Sequence, residues 1–284
     1  MKGTLYLCAT PIGNLEDITY RVLRTLQEVD LIAAEDTRNS IKLLNHFNIK
    51  TPMTSYHEFN KFEKAKVLVD KLHLGVNIAL ITDAGTPGIS DPGEELVKQC
   101  HQAGITVTSL PGAAACVTAL TMSGQATRRF VFEAFLPTDK KERNFIMDAL
   151  RNETRTIIIY EAPHRLIKTL HELSEVFGQD RTLSICKELT KKYENIMITT
   201  FEEALEYYQS NEPKGEYVLV IAGKSKETLI KESRQQWDTM SVAKHVQMYM
   251  DSGMDKKEAM KAAAKDRGVS KRDIYNELLD NCEN

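Results

Sequence analysis

The strongest chemical signal in the sequence is a loop rich in glycine, proline and aspartate. It covers residues 83–93, reads DAGTPGISDPG and comes just after an apolar run at 78–81. Its glycines have no Cβ atom, so the main chain can approach a bound molecule closely, and its prolines restrict the path between them. The loop therefore predicts a ligand site built mainly from backbone atoms. The alternative is an elaborate turn that binds nothing.

Further clusters of polar or small residues follow other predicted strands. Open α/β sheets bind their ligands at the carboxyl ends of their strands, so these clusters are candidate site residues. They lie at 9–15, 33–38, 110–115, 160–165 and 187–191. Each cluster has a simpler interpretation: a βα turn, helix capping by Glu35 and Asp36, close helix packing, or a surface ion-pair network.

Several common catalytic arrangements are missing from the sequence. Gly223, Lys224 and Ser225 look like the end of a P-loop, but Val218 stands where its first glycine is needed. No GxGxxG follows the first predicted strand, and no GxSxG motif occurs. The histidines take neither HExxH spacing nor paired spacing with cysteines, so we predict no catalytic metal.

Charge and cysteine usage restrict the setting in which the protein works. The chain has 284 residues, a net charge of −3 and a pI of about 6.2, so any nucleic-acid binding would depend on local basic patches. The cysteines are scattered without CxxC spacing, which argues against a zinc ribbon and favours a reducing compartment. With no run of 18 apolar residues and no signal peptide, we expect a cytoplasmic location.

The pattern of apolar residues predicts an α/β fold. Short β-branched runs alternate with helical periodicity up to residue 110, which is typical of a mostly parallel sheet. After a polar connection, short links between strands indicate mixed or antiparallel pairing. The predicted strands are 4–9, 31–34, 77–81, 105–110, 130–135, 156–160, 182–186, 196–200 and 217–222, and the predicted helices of the first half are 20–29, 40–47, 61–72 and 94–103. The chain length fits two α/β domains at 1–118 and 119–224.

The last segment, 225–284, differs in composition from the rest. A charged spacer at 224–234 precedes three short predicted helices, the first at 241–252, and no strand. Capping residues place one helix between Asp255 and Gly268 and start another at Ser270, in helix-turn-helix proportions. Residues 256–272 hold seven basic residues. This segment is either an RNA-contacting patch or a solvated helix face.

These motifs, in this order, resemble the tetrapyrrole methylase superfamily, in its branch that methylates ribosomal RNA. The match covers residues 5–223. Its signatures are ATPIGNL at 9–15, AAEDTR at 33–38, SYHE at 55–58, DAGTPGISDPG at 83–93, YEAPHRL at 160–166 and KELTK at 187–191. The resemblance implies two α/β domains of the tetrapyrrole methylase type with a small C-terminal helical domain, and a homodimer. It also implies 2′-O-methylation of a cytidine ribose in the decoding region of small-subunit (16S) rRNA.

The resemblance implies a set of residues that bind S-adenosyl-L-methionine in the cleft between the two domains. Carried over motif by motif, they are Pro11, Asp83, Ala84, Gly85, Thr86, Ile89, Ala114, Ala115, Tyr160, Glu161, Leu189 and Glu216. The chain departs from the family pattern after Gly112, where a serine or threonine is usual and Ala113, Ala114 and Ala115 stand. We therefore expect a hydroxyl contact to the cofactor to be missing, while a backbone contact there remains.

The expected chemistry asks little of side chains. A sulfonium methyl group is already activated, so transfer depends mainly on positioning and on excluding water. Glu161 and Glu188 are candidates for a general base that accepts the ribose proton. The candidate contacts to RNA are Arg38, Arg165 and Lys187, together with Lys257, Lys261, Lys265, Lys271 and Arg272 of the last segment.

Two other functions stay open at this point. A small-molecule methyltransferase acting on a corrin-like ring would share the cofactor motifs but would not need the basic last segment. A non-enzymatic RNA-binding module with a degenerate cofactor site would agree with the departure at Ala113 and Ala114. Cofactor binding separates an enzyme from such a module.

Overall fold

The protein contains two sheets and a separate helical unit, which confirms the predicted α/β class. Its structure, a computed structural model, describes residues 1–235 and 237–280, so Cys282 lies outside the described residues. One compact unit holds residues 1–151 and 155–222, and a second holds 152–154 and the residues after 222. The division of the first unit into domains at residue 118 stays a prediction. Among the described residues, none of the helices combines the length and the apolar composition needed to cross a membrane.

The first sheet is fully parallel and has helices on both faces. Its strands run in the order β3-β2-β4-β1-β5. They are β1 Thr4–Cys8, β2 Leu31–Ala34, β3 Met53–Ser55, β4 Ile78–Ile81 and β5 Thr106–Leu110, and the helices are α1 Tyr20–Glu28, α2 Thr37–His46, α3 Lys61–His73 and α4 Gly93–Gln102. Apolar side chains of α3 and α4 fill one face, and those of α1 and α2 fill the other. All five carboxyl ends therefore meet at one edge of the sheet.

The second sheet is mixed, as its short connections predicted. Its order is β6-β7-β10-β8-β9, with β6 and β7 parallel and the remaining pairs antiparallel. The strands are β6 Phe130–Phe135, β7 Thr156–Glu161, β8 Thr182–Lys187, β9 Asn195–Thr200 and β10 Tyr217–Ile221, and the helices are α5 Ala115–Met122, α6 Lys140–Leu150, α7 Pro163–Phe177 and α8 Phe201–Ser210. Three of these helices cover one face of the sheet, and α5 covers the other. The small residues at 113–115 predict the start of α5, whereas helices α6 to α8 and strand β3 had not been predicted.

The second unit is helical, and it contains one more helix than predicted. It consists of α9 Lys226–Gln235, α10 Val242–Asp251, α11 Lys256–Arg267 and α12 Lys271–Asp280. A small apolar core of α10, α11 and α12 residues holds it together. The segment predicted as a charged spacer forms α9, because Ser225 accepts the Thr228 N–H at 2.9 Å and the run contains no glycine or proline to stop a helix.

Candidate functional site

The loops after β1 and β4 are joined by backbone hydrogen bonds at the carboxyl edge of the first sheet. Thr10 N donates to Gly85 O at 2.9 Å, and Gly85 N donates to Thr10 O at 3.0 Å. The Thr10 hydroxyl also donates to Thr82 O at 3.1 Å. Gly85 has a φ of +85°, which a residue with a side chain rarely adopts. The pairing fixes the start of the glycine-rich loop relative to the first strand.

The rest of that loop closes on the carboxylate of Asp91. This carboxylate accepts the N–H groups of Gly88 at 2.8 Å, Ile89 at 3.2 Å and Gly93 at 2.7 Å. The Tyr56 hydroxyl, from the SYHE motif, holds the end of the loop by donating to Pro92 O at 2.9 Å. The loop is therefore ordered by its own hydrogen bonds and presents a fixed backbone to the cavity beside it.

A cavity of about 530 Å³ lies between this edge and the second sheet. Of the residues predicted to bind the cofactor, all except Pro11 line it. Other lining residues belong to the predicted site motifs but not to the predicted cofactor set: Ile12, Glu35, Ser90, Asp91, Ala162, Pro163 and His164. Thr82, Phe135, Tyr217 and Val218 also line the cavity and lie outside these motifs. Pro11 instead lines an adjoining groove, whereas Ile12 lines both the groove and the cavity.

Acidic residues form one polar end of the cavity. Glu35 Oε2 accepts the Thr82 hydroxyl at 2.5 Å, and Asp83 accepts the Asp36 N–H at 3.2 Å and the Asn39 amide at 3.4 Å. Partial burial raises the pKa of Asp83, and the nearby Glu35 carboxylate adds to this rise. The capping interpretation of the AAEDTR motif is confirmed for Asp36, and a ligand contact of Glu35 stays a prediction. Asp36 caps α2 by accepting the Arg38 N–H at 2.8 Å, whereas Glu35 lines the cavity.

Tyr160 caps the start of α5, because the alanines at 113–115 have no side chain that could do so. Ala114 precedes α5 and offers no side-chain hydrogen bond, but the Tyr160 hydroxyl accepts the Cys116 N–H at 2.9 Å. Phe132 and Phe135 contact the tyrosine ring edge-on, with centroids 5.0 and 5.6 Å away. Burial raises the pKa of Tyr160 well above its usual value, so the hydroxyl keeps its proton at neutral pH.

Replacing Tyr160 by phenylalanine is expected to leave the Cys116 N–H without its partner. The loss should lower the free energy of unfolding by about 1–2 kcal/mol and weaken cofactor binding by about tenfold or less. Thermal denaturation and calorimetry would measure the two effects. Phe132→Leu is a suitable control, since it changes the aromatic contact but leaves the cap intact. An unchanged melting temperature in Tyr160→Phe would show that the cap carries no stability.

Glu161 is buried, and both of its carboxylate oxygens are engaged. Oε1 accepts the Ala162 N–H at 2.9 Å and lies 3.4 Å from Nε of Arg165, while Oε2 accepts the Thr169 hydroxyl at 2.5 Å. Thr169 in turn accepts a hydrogen bond from the buried Arg143 at 2.8 Å. These contacts hold the carboxylate and the end of β7 in place.

Glu188, the second candidate base, belongs to a strained loop. Glu188 and Thr190 have φ values of 51° and 63°, and such values are unusual for residues with bulky or branched side chains. Partial burial on its own would raise the pKa of Glu188, but the Glu216 N–H and the Lys191 ammonium hold it below its usual value. Lys191 lies 3.0 Å from Glu188 and 2.7 Å from Glu216. The strained turn places Leu189 in the cavity wall.

The residues predicted to contact RNA are not brought together at the cavity. Arg38 pairs with Asp36 at 2.7 Å and is otherwise exposed, and Arg165 donates to Leu136 O at 2.7 Å. Lys187 lines a different pocket beside β8 and β9. The lysines of the last segment lie on α11 and at the start of α12, within the second unit. Their roles stay predictions.

No metal-binding cluster accompanies the cavity. Across residues 1–235 and 237–280, histidine, cysteine, aspartate and glutamate form no group of three that could hold a metal ion. The absence of a catalytic metal stays a prediction.

Comparison with known proteins identifies the family. Residues 4–205 match the family model described as Tetrapyrrole (Corrin/Porphyrin) Methylases. The chain is 50% identical over 275 residues to ribosomal RNA small subunit methyltransferase I of Halalkalibacterium halodurans, covering 97% of this chain and 94% of that one. It is 46% identical over 273 residues to the protein of the same name from Bacillus subtilis, covering 96% and 93% of the two chains.

Solved structures with low sequence identity share the fold. A diphthine synthase superposes with a TM-score of 0.62 at 13% identity, covering 81% of this chain and 94% of that one. A uroporphyrin-III-C-methyltransferase from Thermus thermophilus gives a TM-score of 0.56 at 19% identity, covering 81% and 98%. The chain belongs to the tetrapyrrole methylase family, in the group of proteins named ribosomal RNA small subunit methyltransferase I.

Proposed function

We propose that the chain transfers the methyl group of S-adenosylmethionine to the 2′-oxygen of a cytidine ribose in small-subunit (16S) rRNA. Relatives that are 46–50% identical over nearly the whole chain carry the rRNA methyltransferase name. The observation that carries the proposal is the cavity at the carboxyl edge of the first sheet, lined by the predicted cofactor residues apart from Pro11. Likeness to ring methyltransferases stays below 20% identity and concerns the fold alone.

The residues around the cavity fit S-adenosylmethionine. Its volume of about 530 Å³ lies within the usual range of small-molecule sites. Ile89, Ala115 and Leu189 provide apolar walls for a flat base, and the acids at the opposite end suit hydroxyl groups and an ammonium. A Cβ atom at Gly85 would lie 3.3 Å from Ile12 and 3.4 Å from Ala113 O, so the glycine leaves space that a side chain would fill.

The chain's own residues contribute positioning more than acid–base chemistry. The bound cofactor supplies an activated methyl group, and the ordered loop 83–93 and Tyr160 fix the walls that hold it. Because Glu161 and Glu188 are both engaged in hydrogen bonds, we assign them positioning roles. The proposed partners are rRNA and a second copy of the chain, and the proposed location is the cytoplasm.

Cofactor affinity is expected to fall on acidification, with Asp83 as the cause. Its raised pKa means that it becomes protonated at a higher pH than an ordinary aspartate, and a neutral carboxyl group no longer attracts the cofactor ammonium. Calorimetry between pH 7.5 and pH 4.5 should show a steeper loss of affinity for the wild type than for Asp83→Asn. The variant should bind more weakly at pH 7. It should also be at least as stable without ligand, since a raised pKa marks a charge that the folded state disfavours.

Tritium transfer to ribosomal subunits tests the proposed function. Small subunits that lack the modification would be incubated with the chain and labelled S-adenosylmethionine, and the labelled nucleotide mapped by nuclease digestion. We expect label on a cytidine ribose, and none on subunits that already carry the modification. Label on a base, or cofactor binding with no transfer to RNA, would contradict the proposal.

A further inference from the structure

A second cavity adjoins the cofactor cavity and has no role so far. Its volume is about 450 Å³, and it shares a wall with the first cavity that includes Ile12, Asp83 and Glu216. The rest of its lining comes from the loop after β1, from one face of α2 and from Lys191. A molecule in this groove would therefore touch the same residues that border the cofactor.

The α2 side of the groove carries basic side chains at its rim. Arg38, Lys42 and His46 follow one another at four-residue steps, so they share one face of the helix. Lys42 and His46 are exposed and line the groove, about 6 Å apart along the helix axis. Arg38 is held by Asp36, and Lys191 by Glu188 and Glu216. Within the described part of the chain, Lys42 forms no ion pair with a carboxylate.

The wall that the groove shares with the cofactor cavity has a different chemistry from the α2 side. Asp83 and Glu216 supply carboxylate oxygens at the shared wall, and Asn39 supplies an amide that already contacts Asp83 at 3.4 Å. Carboxylate and amide groups suit the hydroxyls of a ribose, whereas the ammonium of Lys42 suits a phosphate. A nucleotide with its phosphate on Lys42 could therefore place its ribose against the shared wall.

Beside the groove, the loop after β1 closely approaches the loop after β8. Asn14 N donates to the Thr190 hydroxyl at 3.1 Å, and a Cβ atom at Gly13 would lie only 2.4 Å from Lys191 Cγ. The strained turn at Glu188 and Thr190 makes this approach. The geometry of the groove is therefore fixed before anything binds.

We propose that this groove binds the rRNA strand next to the acceptor nucleotide, with Lys42 and His46 on backbone phosphates. The acceptor ribose then lies at the wall that the groove shares with the cofactor cavity. The inference rests on the proposed function. Phosphate contacts set the register of the strand and base identity is read elsewhere, so Lys42 and His46 position the substrate without specifying its sequence.

A double variant, Lys42→Ala with His46→Ala, tests the groove in the full-length chain. The KM for small subunits should rise by about tenfold or more, while kcat at saturating subunits and the cofactor Kd should stay within about twofold. The slope of log affinity against log salt concentration should decrease by the amount expected for the loss of about one phosphate contact, that of Lys42. A Lys42→Arg variant keeps the positive charge and should have a KM close to that of the wild type. Lys98→Ala removes an exposed lysine from α4, which lines neither cavity, and should change nothing.

The outcomes separate this inference from the function on which it rests. If wild-type chain labels rRNA but the double variant keeps the wild-type KM, the groove does not bind the strand. A rise in KM for His164→Ala alone would place the strand at the opposite side of the cofactor cavity and would also overturn the inference. If the wild type binds cofactor and never labels rRNA, the proposed function fails and the inference fails with it.

Discussion

Replacing Gly13 by valine is expected to lower kcat/KM for rRNA methylation by more than about 100-fold while both sheets stay folded. A Cβ atom at this position would lie 2.4 Å from Lys191 Cγ, 2.8 Å from Thr190 Oγ1 and 3.0 Å from Leu189 O. A branched side chain cannot fit, so the loop after β1 must move away from the loop after β8. Ile12 and Leu189 stand on these two loops and line the same cavity.

The size of this effect follows from what the two loops do together. Methyl transfer needs donor and acceptor at a fixed short distance, and a shift of about 1 Å at the site can cost about 100-fold in rate. Gly13 is itself exposed, so the substitution creates no cavity in either core. We therefore expect an unchanged circular dichroism spectrum and a cofactor Kd raised by about tenfold or more.

A matched variant in the same loop separates the steric effect of the valine side chain from a general disturbance of the loop. Asn14→Ala removes the side chain that accepts the Glu16 N–H at 3.1 Å, but it adds nothing at the contact with Lys191. It should lower kcat/KM by less than about fivefold, and Gly13→Ala should fall between the two. Equal losses in Asn14→Ala and Gly13→Val would show that loop order matters and the close approach does not.

Local features of the fold could be predicted from the sequence because they depend on residues a few positions apart. Asp255 caps α11 by accepting the Glu258 N–H at 2.8 Å, and Gly268 ends that helix with a φ of +66°. Ser270 and Asp273 exchange hydrogen bonds at the start of α12, at 2.8 and 3.2 Å. Each motif carries its own geometry, so no knowledge of the rest of the chain was needed.

The site could be predicted in outline for a different reason. Parallel strands place their carboxyl ends at one edge, so motifs far apart in sequence, such as 9–15 and 83–93, had to meet there. The sequence does not distinguish a helix cap from a ligand contact for Glu35, because both roles suit an acidic residue after a strand. Only the hydrogen bond of Asp36 to the Arg38 N–H separated the two acids.

The direction of individual side chains could not be predicted. Arg165 is predicted to hold RNA phosphate, a role that stays a prediction, and its guanidinium also donates to Leu136 O, which lies 29 residues away in the chain. The contact between Arg165 and Leu136 joins distant segments, and a residue pattern does not record it. The positive φ of Glu188 gives no signal in the sequence either, because glutamate rarely adopts this conformation.

Removing the Glu161 side chain is expected to be the most damaging single change in the second sheet. Glu161→Ala would leave the Thr169 hydroxyl without its acceptor and Arg165 without its carboxylate partner, so that Arg165 would keep only its hydrogen bond to Leu136 O. The loss of one partner from a buried charged pair costs about 3–5 kcal/mol, which corresponds to a fall of about 10 °C in melting temperature for a unit of this size. Since Tyr160 and Ala162 flank it in the cavity wall, kcat/KM should fall by about 100-fold.

Glu161→Gln separates a positioning role from a general base. The amide keeps the shape and one acceptor, so a positioning residue should lose about tenfold or less in kcat, with an unchanged pH profile and a smaller fall in melting temperature. A general base would lose about 100-fold or more, and the acidic limb of its pH–rate profile would disappear. Glu188→Gln is the matched control, because its carboxylate also accepts a backbone N–H, that of Glu216 at 3.0 Å, but does not line the cavity.

The contacts of Glu161 favour the smaller loss. A general base must take a proton from the substrate and release it again in each turnover. The Glu161 carboxylate is instead held by the Ala162 N–H, Arg165 and Thr169. Arg143 extends the same network to α6 through Thr169, so protonating Glu161 would disturb contacts on two helices. A large loss of kcat in Glu161→Gln at an unchanged melting temperature would overturn this assignment. If that loss is not observed, the rate of methyl transfer depends on how firmly the end of β7 and the loop 83–93 hold the cofactor and the acceptor ribose.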